Sequence, residues 1–234
     1  MSRSLRILIT GATGAVGPVV VRAFHGAGYA VRTLSLDQPP AGIWPDGVEA
    51  VTGDITDASA VRAVMDGVDA VIHMAALLHI VHVSPELLEK YQKINVGGTG
   101  NVVNTAADAG VKRVVLFSTI AVYGPSGGRI LTENSTPCPE TFYARTKLEA
   151  EQIVLKAKGK DRNPLGTVLR FGAIYGSRIK GNYERLTHAL AKFRFIPIGN
   201  GLNRRTLIYD KDVGRAAVQA AFHPEAAGKL FNVT

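Results

Sequence analysis

The stretch Ile7-Leu8-Ile9-Thr10-Gly11-Ala12-Thr13-Gly14-Ala15-Val16-Gly17 constrains this chain more than any other. An apolar run ends in three glycines spaced three residues apart, and Val16, Val19, Val20, Ala23 and Phe24 then recur at helical spacing. That order reads as a buried strand, a tight turn, and a helix whose N-terminus faces a phosphate. Glycine is required because a pyrophosphate reaches backbone N–H groups only where no Cβ intervenes, and the last glycine lets helix and strand pack closely. Pro18 falls in the first turn, where a missing N–H costs little, and Gly26 and Gly28 stop the helix. A glycine triplet alone also fits an ordinary βα turn; the strand and helix that flank this one argue for a dinucleotide site.

Length and composition narrow the remaining choices. With 234 residues, 46% of them hydrophobic, the chain can bury a substantial core as one domain, or as one domain and a fragment of a second. The N-terminus passes from a few polar residues straight into the first strand, with no charged-then-apolar leader, so a cytoplasmic protein is expected. The apolar stretch from Ala70 to Val83 is shorter than the ~18 residues a membrane span needs and carries His73, His79 and His82. These histidines lack a carboxylate or thiol at ligand spacing, and no metal is expected. The single cysteine, Cys138, lies between Pro137 and Pro139 as a loop residue and cannot form an internal disulfide. Between Arg145 and Arg215, sixteen Lys/Arg stand against six Asp/Glu. No aromatic-interleaved basic motif accompanies that excess, so it reads as a solvated face and a pocket for an anionic cofactor or substrate, not as a nucleic-acid surface.

Beyond the first strand and helix, Ala30 to Leu36 reads as a second strand whose end is where an adenosine ribose would lie. Asp37 there inclines the reading toward NAD, because a carboxylate accepts from the 2′-hydroxyl and repels a 2′-phosphate; with Ser35 and Leu36 beside it and Arg32 within the strand, NADP stays open. Val48 to Thr52 is a third strand, followed by Gly53-Asp54-Ile55 and a helix that Asp57 can cap. Asp54 can meet the adenine amino group or, equally, close a turn on its own backbone. A fourth strand from Asp69 to His73 opens into Met74-Ala75-Ala76, small residues that let the middle of the cofactor pass. Ser84-Pro85-Glu86 starts a long helix from Leu87 to Ala109, interrupted by Gly97, Gly98 and Gly100, whose cost close packing must offset. The strand Arg113 to Phe117 then delivers Ser118 and Thr119 at its C-terminal end, where parallel sheets place their ligands. Strand and helix alternate five times, which predicts a doubly wound parallel sheet with helices on both faces.

Tyr143-Ala144-Arg145-Thr146-Lys147 opens a helix that runs through Leu155, so Tyr143 and Lys147 stand four apart on one face. An ammonium beneath a phenol lowers the phenol from its usual ~10 toward the working range. Lys147 can also hold the nicotinamide ribose.

Taken together, Thr10-Gly11-x-x-Gly14-x-x-Gly17, Gly53-Asp54, His73-x-Ala75-Ala76, Asn95-x-x-Gly98-Thr99, Ser118-Thr119-x-x-Val122-Tyr123-Gly124, the Tyr-x-x-x-Lys and Leu169-Arg170 through Ile174-Tyr175-Gly176 strongly resemble the extended short-chain dehydrogenase/reductase family, the NAD-dependent epimerase/dehydratase group. The resemblance covers nearly the whole chain. It implies an α/β Rossmann-type fold, with a dinucleotide-binding unit over 1–170 and a partial, truncated substrate-binding portion over 171–234 that includes the last sheet strand, Leu230 to Thr234. It implies an enzyme that passes hydride at a secondary alcohol or keto carbon, with Thr119 bonding the reacting oxygen, Tyr143 as general acid/base and Lys147 as its partner. The cofactor-binding set it implies is Gly11, Thr13, Gly14, Ala15, Val16, Gly17, Asp37, Asp54, Ile55, Ala75, Ala76, Asn95, Tyr143 and Lys147. The substrate-binding set is Ser118, Thr119 and Arg205. The partner implied is a small molecule, not a nucleic acid or a membrane, and a helical face of such folds often forms a homodimer.

Departures from the family bear on the substrate. The sugar-nucleotide 4,6-dehydratases carry an Asp-Glu pair where this chain has Ile120 and Ala121, so dehydration is not expected. Many nucleotide-sugar enzymes carry Asn where this chain has Ala173, which looks more like the hydroxysteroid-dehydrogenase and dihydroflavonol-reductase branches. Against that, Gly199-Asn200-Gly201 and Arg205 resemble the stretch that holds a phosphate-binding arginine in the epimerases, although Arg205 reads equally as a plain exposed residue. The first reading is therefore a nucleotide-sugar oxidoreductase or epimerase. The alternatives are an enzyme of apolar alcohols and ketones, and a non-catalytic dinucleotide sensor or scaffold.

Overall fold

The computed structural model describes residues 4–78, 84–179, 182–195, 200–202 and 204–234. His79, His82 and Gly199 lie outside the described residues. In chain order the elements are β1 (Arg6–Thr10), α1 (Gly17–Gly26), β2 (Ala30–Ser35), β3 (Glu49–Thr52), α2 (Ala58–Ala63), β4 (Ala70–His73), α3 (Pro85–Tyr91), α4 (Thr99–Ala109), β5 (Arg113–Thr119), α5 (Phe142–Lys156), β6 (Gly166–Phe171), β7 (Ala173–Tyr175), α6 (Asn182–Ala191), β8 (Leu207–Tyr209), α7 (Asp210–Phe222) and β9 (Leu230–Val233).

Seven strands form one sheet in the order β3-β2-β1-β4-β5-β6-β9, every neighbouring pair parallel. Because successive side chains point to opposite faces, Leu8, Leu34, Val71, Leu116 and Val168 pack beneath α2, α4 and α5. Ile7, Ile9, Val31, Ile72, Val115 and Leu169 face α1 and α7 on the other side, meeting Val20, Phe24, Val213 and Ala217. Strands buried on both faces have to be apolar throughout, which is why Ile7-Leu8-Ile9 shows no alternation. The doubly wound sheet expected from the sequence is the one observed. Chain order reverses between β1 and β4, and at such a switch the C-terminal strand ends splay into a crevice that receives ligands. Among the described residues no helix is long and apolar enough to cross a membrane.

The helix expected over residues 87–109 is one helical run from Pro85 to Ala109 whose middle, Gln92–Gly98, is wound as a π-helix. Of its glycines only Gly98 meets a close neighbour, since a Cβ there would lie 2.6 Å from Ile55 Cδ1, whereas around Gly100 nothing comes within 4 Å. The compensation anticipated for all three therefore holds for Gly98 alone. Asp57 caps α2 by accepting the Ser59 N–H at 2.8 Å, as its position suggested. Ser84 sits at the N-cap of α3, but its hydroxyl donates to Glu86 at 2.6 Å and accepts no backbone N–H there.

β5 runs two residues further than expected and carries Ser118 and Thr119 as its last members. β9 closes the sheet beside β6, with Leu169 opposite Phe231. In the stretch after residue 170, α7 and β9 join the main core, while β7 and β8 form a separate two-stranded parallel ribbon.

Candidate active site

The glycine turn is built by clearance. Gly11 adopts φ +73° and donates its N–H to Leu34 O at 2.8 Å, and a Cβ on it would lie 2.7 Å from Ala75 Cα. A Cβ on Gly17 would collide with Ala12 O, so the start of α1 lies directly against the end of β1. Val16 at the N-cap supplies no side-chain acceptor, and the first amides of α1 have no side-chain cap. Two cavities open from this turn. The first, about 280 Å³, is lined by Gly11, Thr13 and Gly14, the β2 end from Leu34 to Asp37, Gly53 to Ile55, Met74 to Leu78, and Ile94. The second, about 150 Å³, is lined by Gly11, Gly14, Val16, Gly17, Met74, Ala76, Leu78, Phe117, Ser118, Tyr143, Lys147, Phe171 and Ile174. Gly11, Gly14, Met74, Ala76 and Leu78 belong to both, so the two form one groove across the switch point.

At the first end, Ser35 Oγ accepts the Thr13 N–H at 3.3 Å and Asp54 Oδ1 accepts the Thr56 N–H at 2.8 Å. Asp54 thus closes a turn on its own backbone, one of the two readings its position allowed, and it also lines the cavity. Arg32 pairs with Glu49 at 2.8 Å and donates to Val64 O and Asp66 O, so it is committed away from the groove. The floor between the two ends hangs on a buried chain of hydrogen bonds. Ala75 N–H donates to Thr10 Oγ1 at 3.3 Å, and Thr10 meets His73 Nδ1 at 2.7 Å. His73 Nε2 meets Thr99 Oγ1 at 2.9 Å, and Thr99 donates to Asn95 O at 2.6 Å. Because Thr99 gives its proton to a carbonyl, it accepts from Nε2–H, which makes Nδ1 the acceptor of the Thr10 hydroxyl. Full burial, with Lys147 adding to it, pushes His73 down to about 3, so the ring is neutral and unsuited to acid/base work here. Asn95, at the centre of the π-helical turn, holds Leu77 through both its N–H and C=O at 2.7 and 3.2 Å and donates to Thr146 at 3.1 Å.

At the second end, Thr141 caps α5 by accepting the Ala144 N–H at 3.2 Å, which sets Tyr143 in the first helical turn. Burial and the neighbouring Tyr91, whose ring lies 6.5 Å from that of Tyr143, push the Tyr143 phenol up to about 12. The expected lowering of this phenol by Lys147 is overturned: desolvation of the phenol dominates. Burial also pushes the Lys147 amine down to about 8, with Glu151 opposing it. Glu151, one turn beyond Lys147, accepts the Ser118 hydroxyl and a bidentate pair from Arg170, at 3.0 Å from Nε and 2.6 Å from Nη2. Burial works against the Arg170 charge, but Glu151 outweighs it and raises the guanidinium. Arg170 also stacks 4.6 Å from the Tyr123 ring, whose hydroxyl donates to Asn232 Oδ1 at 2.9 Å.

The structure brings Gly11, Gly14, Val16, Gly17, Ser118, Tyr143 and Lys147 into one cavity, and Thr13, Asp37, Asp54, Ile55, Ala75 and Ala76 into the other or into both. Ala15 is exposed at the tip of the turn and lines neither; Asn95 acts beneath the floor and not in the groove. Thr119 lines neither cavity and accepts the Ala121 N–H at 3.1 Å, while its neighbour Ser118 faces the tyrosine. Arg205 is exposed and lines neither cavity. Among the described residues no group of three His, Cys, Asp or Glu could hold a metal ion. Glu151 and Arg170 were missed by sequence reasoning. Their signal was present, since Arg170 lies between Leu169 and Phe171 in a wholly buried strand and a guanidinium there demands a counter-charge.

A parallel sheet in the order 3-2-1-4-5-6, a bare glycine turn at its switch point and a Tyr-x-x-x-Lys helix beside the fifth strand define a dinucleotide-binding fold of the short-chain dehydrogenase/reductase type. The chain belongs to the NAD dependent epimerase/dehydratase family, which it matches over residues 7–234. It is 31% identical over 234 residues to the UDP-glucose 4-epimerase of Vibrio cholerae, covering 97% of this chain and 70% of that protein. To the 3 beta-hydroxysteroid dehydrogenase/Delta 5-->4-isomerase of Mycobacterium tuberculosis it is 32% identical over 197 residues, 80% of this chain and 52% of the relative. Among solved structures it resembles MoeE5 in complex with UDP-glucose and NAD, with a TM-score of 0.83 and 27% identity over 97% of this chain and 75% of that one. It also resembles DesIV, the dTDP-glucose 4,6-dehydratase of Streptomyces venezuelae, with a TM-score of 0.82 and 27% identity over 98% of this chain and 75% of that one.

Proposed function

We propose that the protein is an NAD(P)-dependent oxidoreductase or epimerase acting at a secondary alcohol or keto carbon, with a nucleotide-activated sugar as the first substrate class. One observation carries the reading: the glycine turn and the Tyr143/Lys147 pair line the same small cavity, which is continuous with a second one ending at Asp37 and Asp54. A cofactor fits that groove because Gly14 is exposed on it and the first amides of α1 have no side-chain cap. Bound there, a nicotinamide dinucleotide supplies the hydride donor or acceptor. Asp37 favours NAD, and the family's name and the NAD complexes of its relatives support the same choice.

The chain's own residues manage the proton and the charge. Tyr143, held protonated by burial, suits donation to a carbonyl oxygen as it becomes a hydroxyl; the reverse direction needs the proton removed as the alcohol is oxidised. Lys147 supplies the nearby positive charge. Thr119 lines neither cavity and accepts from Ala121, so the contact with the reacting oxygen that the resemblance implied is not carried forward. Ile120 and Ala121 offer no acid or base for elimination of water, so dehydration is not proposed.

A second substrate class is favoured by a specific feature. Phe117, Phe171, Ile174, Leu78 and Met74 make the wall around Tyr143 apolar, the rings of Phe117 and Phe171 lie 4.7 Å apart, and Arg205 is outside the groove. An apolar alcohol such as a hydroxysteroid suits such a wall, in line with the relative from M. tuberculosis. A panel of UDP- and dTDP-sugars and of hydroxysteroids, each with NAD(H) and NADP(H), followed at the absorbance of the reduced nicotinamide and by product analysis for epimers, tests both. Turnover of a sugar nucleotide confirms the first class and turnover of a steroid the second. Dinucleotide binding with no turnover on the panel overturns the enzymatic reading and leaves a sensor.

A further inference from the structure

Behind the cavity wall, Lys147 and Glu151 lie one turn apart on the inner face of α5, 3% and 1% exposed, and Arg170 reaches them from β6 at 4%. A buried carboxylate shared with Arg170 would be explained as a clamp between α5 and β6 if the pair were isolated. It is not isolated. Glu151 Oε1 also takes the hydroxyl proton of Ser118, a residue of the cavity wall, and Lys147 stands at i−4, the spacing at which side chains on a helix meet. Glu151 is ion-paired with Arg170, and Lys147 stands one turn before it on the same buried face, where its ammonium feels that carboxylate and where a cation without counter-charge sheds its proton.

The other titratable groups around Lys147 cannot replace that anion. On its own helix Tyr143 is a protonated phenol. From β4, His73 is neutral, and from α3, Tyr91 is a second phenol. Arg170 on β6 is a cation already bound to Glu151, Tyr123 after β5 stacks on that guanidinium, and Lys93 on the π-helical turn is exposed. Glu149 on α5 is turned outward to Gln92. Ser118 is affected as well: with its hydroxyl donating to Glu151, the oxygen has only acceptor capacity left for the cavity that Ser118 lines.

We infer that Glu151 is the positioning residue of the reacting end, a buried counter-ion that keeps Lys147 an ammonium and turns Ser118 Oγ into a fixed acceptor beside Tyr143. Residue 151 never touches the reacting atoms; it acts through these two side chains. The inference rests on the proposed reaction for its meaning, but its test does not need turnover.

With 13C in the lysine Cε and glutamate Cδ positions, the unliganded protein can be titrated by NMR. In the parent, the Lys147 resonance is expected to titrate near 8, and the Glu151 carboxyl resonance to shift at the same midpoint. In Glu151→Gln the Lys147 midpoint falls by about one to three units, and Glu151→Asp recovers most of that fall. The kcat–pH profile moves with it, which a clamp alone would not produce. A Lys147 midpoint that stays in place in Glu151→Gln overturns the inference. If that variant does not fold, the parent decides, and a Glu151 carboxyl blind to the Lys147 titration overturns it equally. A coupled titration in a protein that turns over nothing on the substrate panel upholds the charge relation and sinks the proposed reaction; an uncoupled one in an active enzyme does the reverse.

Discussion

The two ends of the groove are made of different materials. Around Gly11, Gly14 and Gly17 the surface is bare backbone held by clearance, with Gly11 N–H bonded to Leu34 O and Ser35 Oγ steadying the Thr13 amide. Around Tyr143 it is desolvated side-chain charge, with Lys147, Glu151 and Arg170 all at 4% exposure or less. Backbone recognition tolerates few atoms and many ligands, since it needs only space beside the main chain. Buried charge tolerates little change in its neighbours, because each group's protonation state depends on the others. On the proposed reading the first end binds and the second reacts, so variants at each should fail in different ways.

The largest effect expected is at the reacting end. Tyr143→Phe removes the proton carrier without touching the glycine turn, so kcat should drop about 10²–10⁴-fold while dinucleotide affinity stays within a few-fold. Steady-state kinetics beside a fluorescence titration with reduced dinucleotide would show the split, and a variant with the parental rate would break the assignment. Gly11→Ala at the other end should show no such split. Its φ of +73° and the 2.7 Å approach to Ala75 predict a loss of about 2–4 kcal/mol in urea unfolding, and binding should fall with it.

The floor that joins the ends offers a pH test. His73 has a folded value of about 3, below its ordinary 6.5, so the stability it contributes is complete above pH 6.5 and lost as pH falls toward 3. Between pH 6.5 and 5 that amounts to about 2 kcal/mol, at 1.36 kcal/mol per unit. His73→Asn should flatten this limb of the unfolding free energy against pH, whatever it does to the absolute value. An unchanged slope would mean that another group titrates.

What was legible in the sequence follows the same division. A backbone site must be announced locally, because the glycines that make room for it are contiguous with the strand and helix they join; hence the turn, the sheet and the family motifs could be read in order. Tyr143 and Lys147 were legible too, being four apart on one helix. Their ionisation was not. The phenol rises through burial in a dry layer, with Tyr91, more than fifty positions earlier in the chain, adding to it, and the Lys147 amine falls through the same burial, opposed by Glu151, which Arg170 reaches from β6. The same limit applied to Ser118 and Thr119: adjacent in sequence, they point to opposite sides of β5, and only three-dimensional packing showed which one faces the tyrosine.

The smallest effect expected is at the outer lip of the glycine end, where the two materials meet. Asp37 is exposed, so its carboxylate discriminates between dinucleotides only through a screened charge and a hydrogen bond to a ribose. Arg32, the cation nearest in sequence, is spent on Glu49 and two carbonyls and cannot welcome a 2′-phosphate. Asp37→Ala should therefore shift the ratio of NADPH to NADH affinity upward by only about five-fold, and raising the salt should shrink the difference between variant and parent. Dissociation constants for both reduced cofactors at two ionic strengths measure this directly. A ratio that does not move would shift the choice to the buried Ser35, whose oxygen is held by Thr13, and would mean that even cofactor preference at this end is set by backbone position and not by charge.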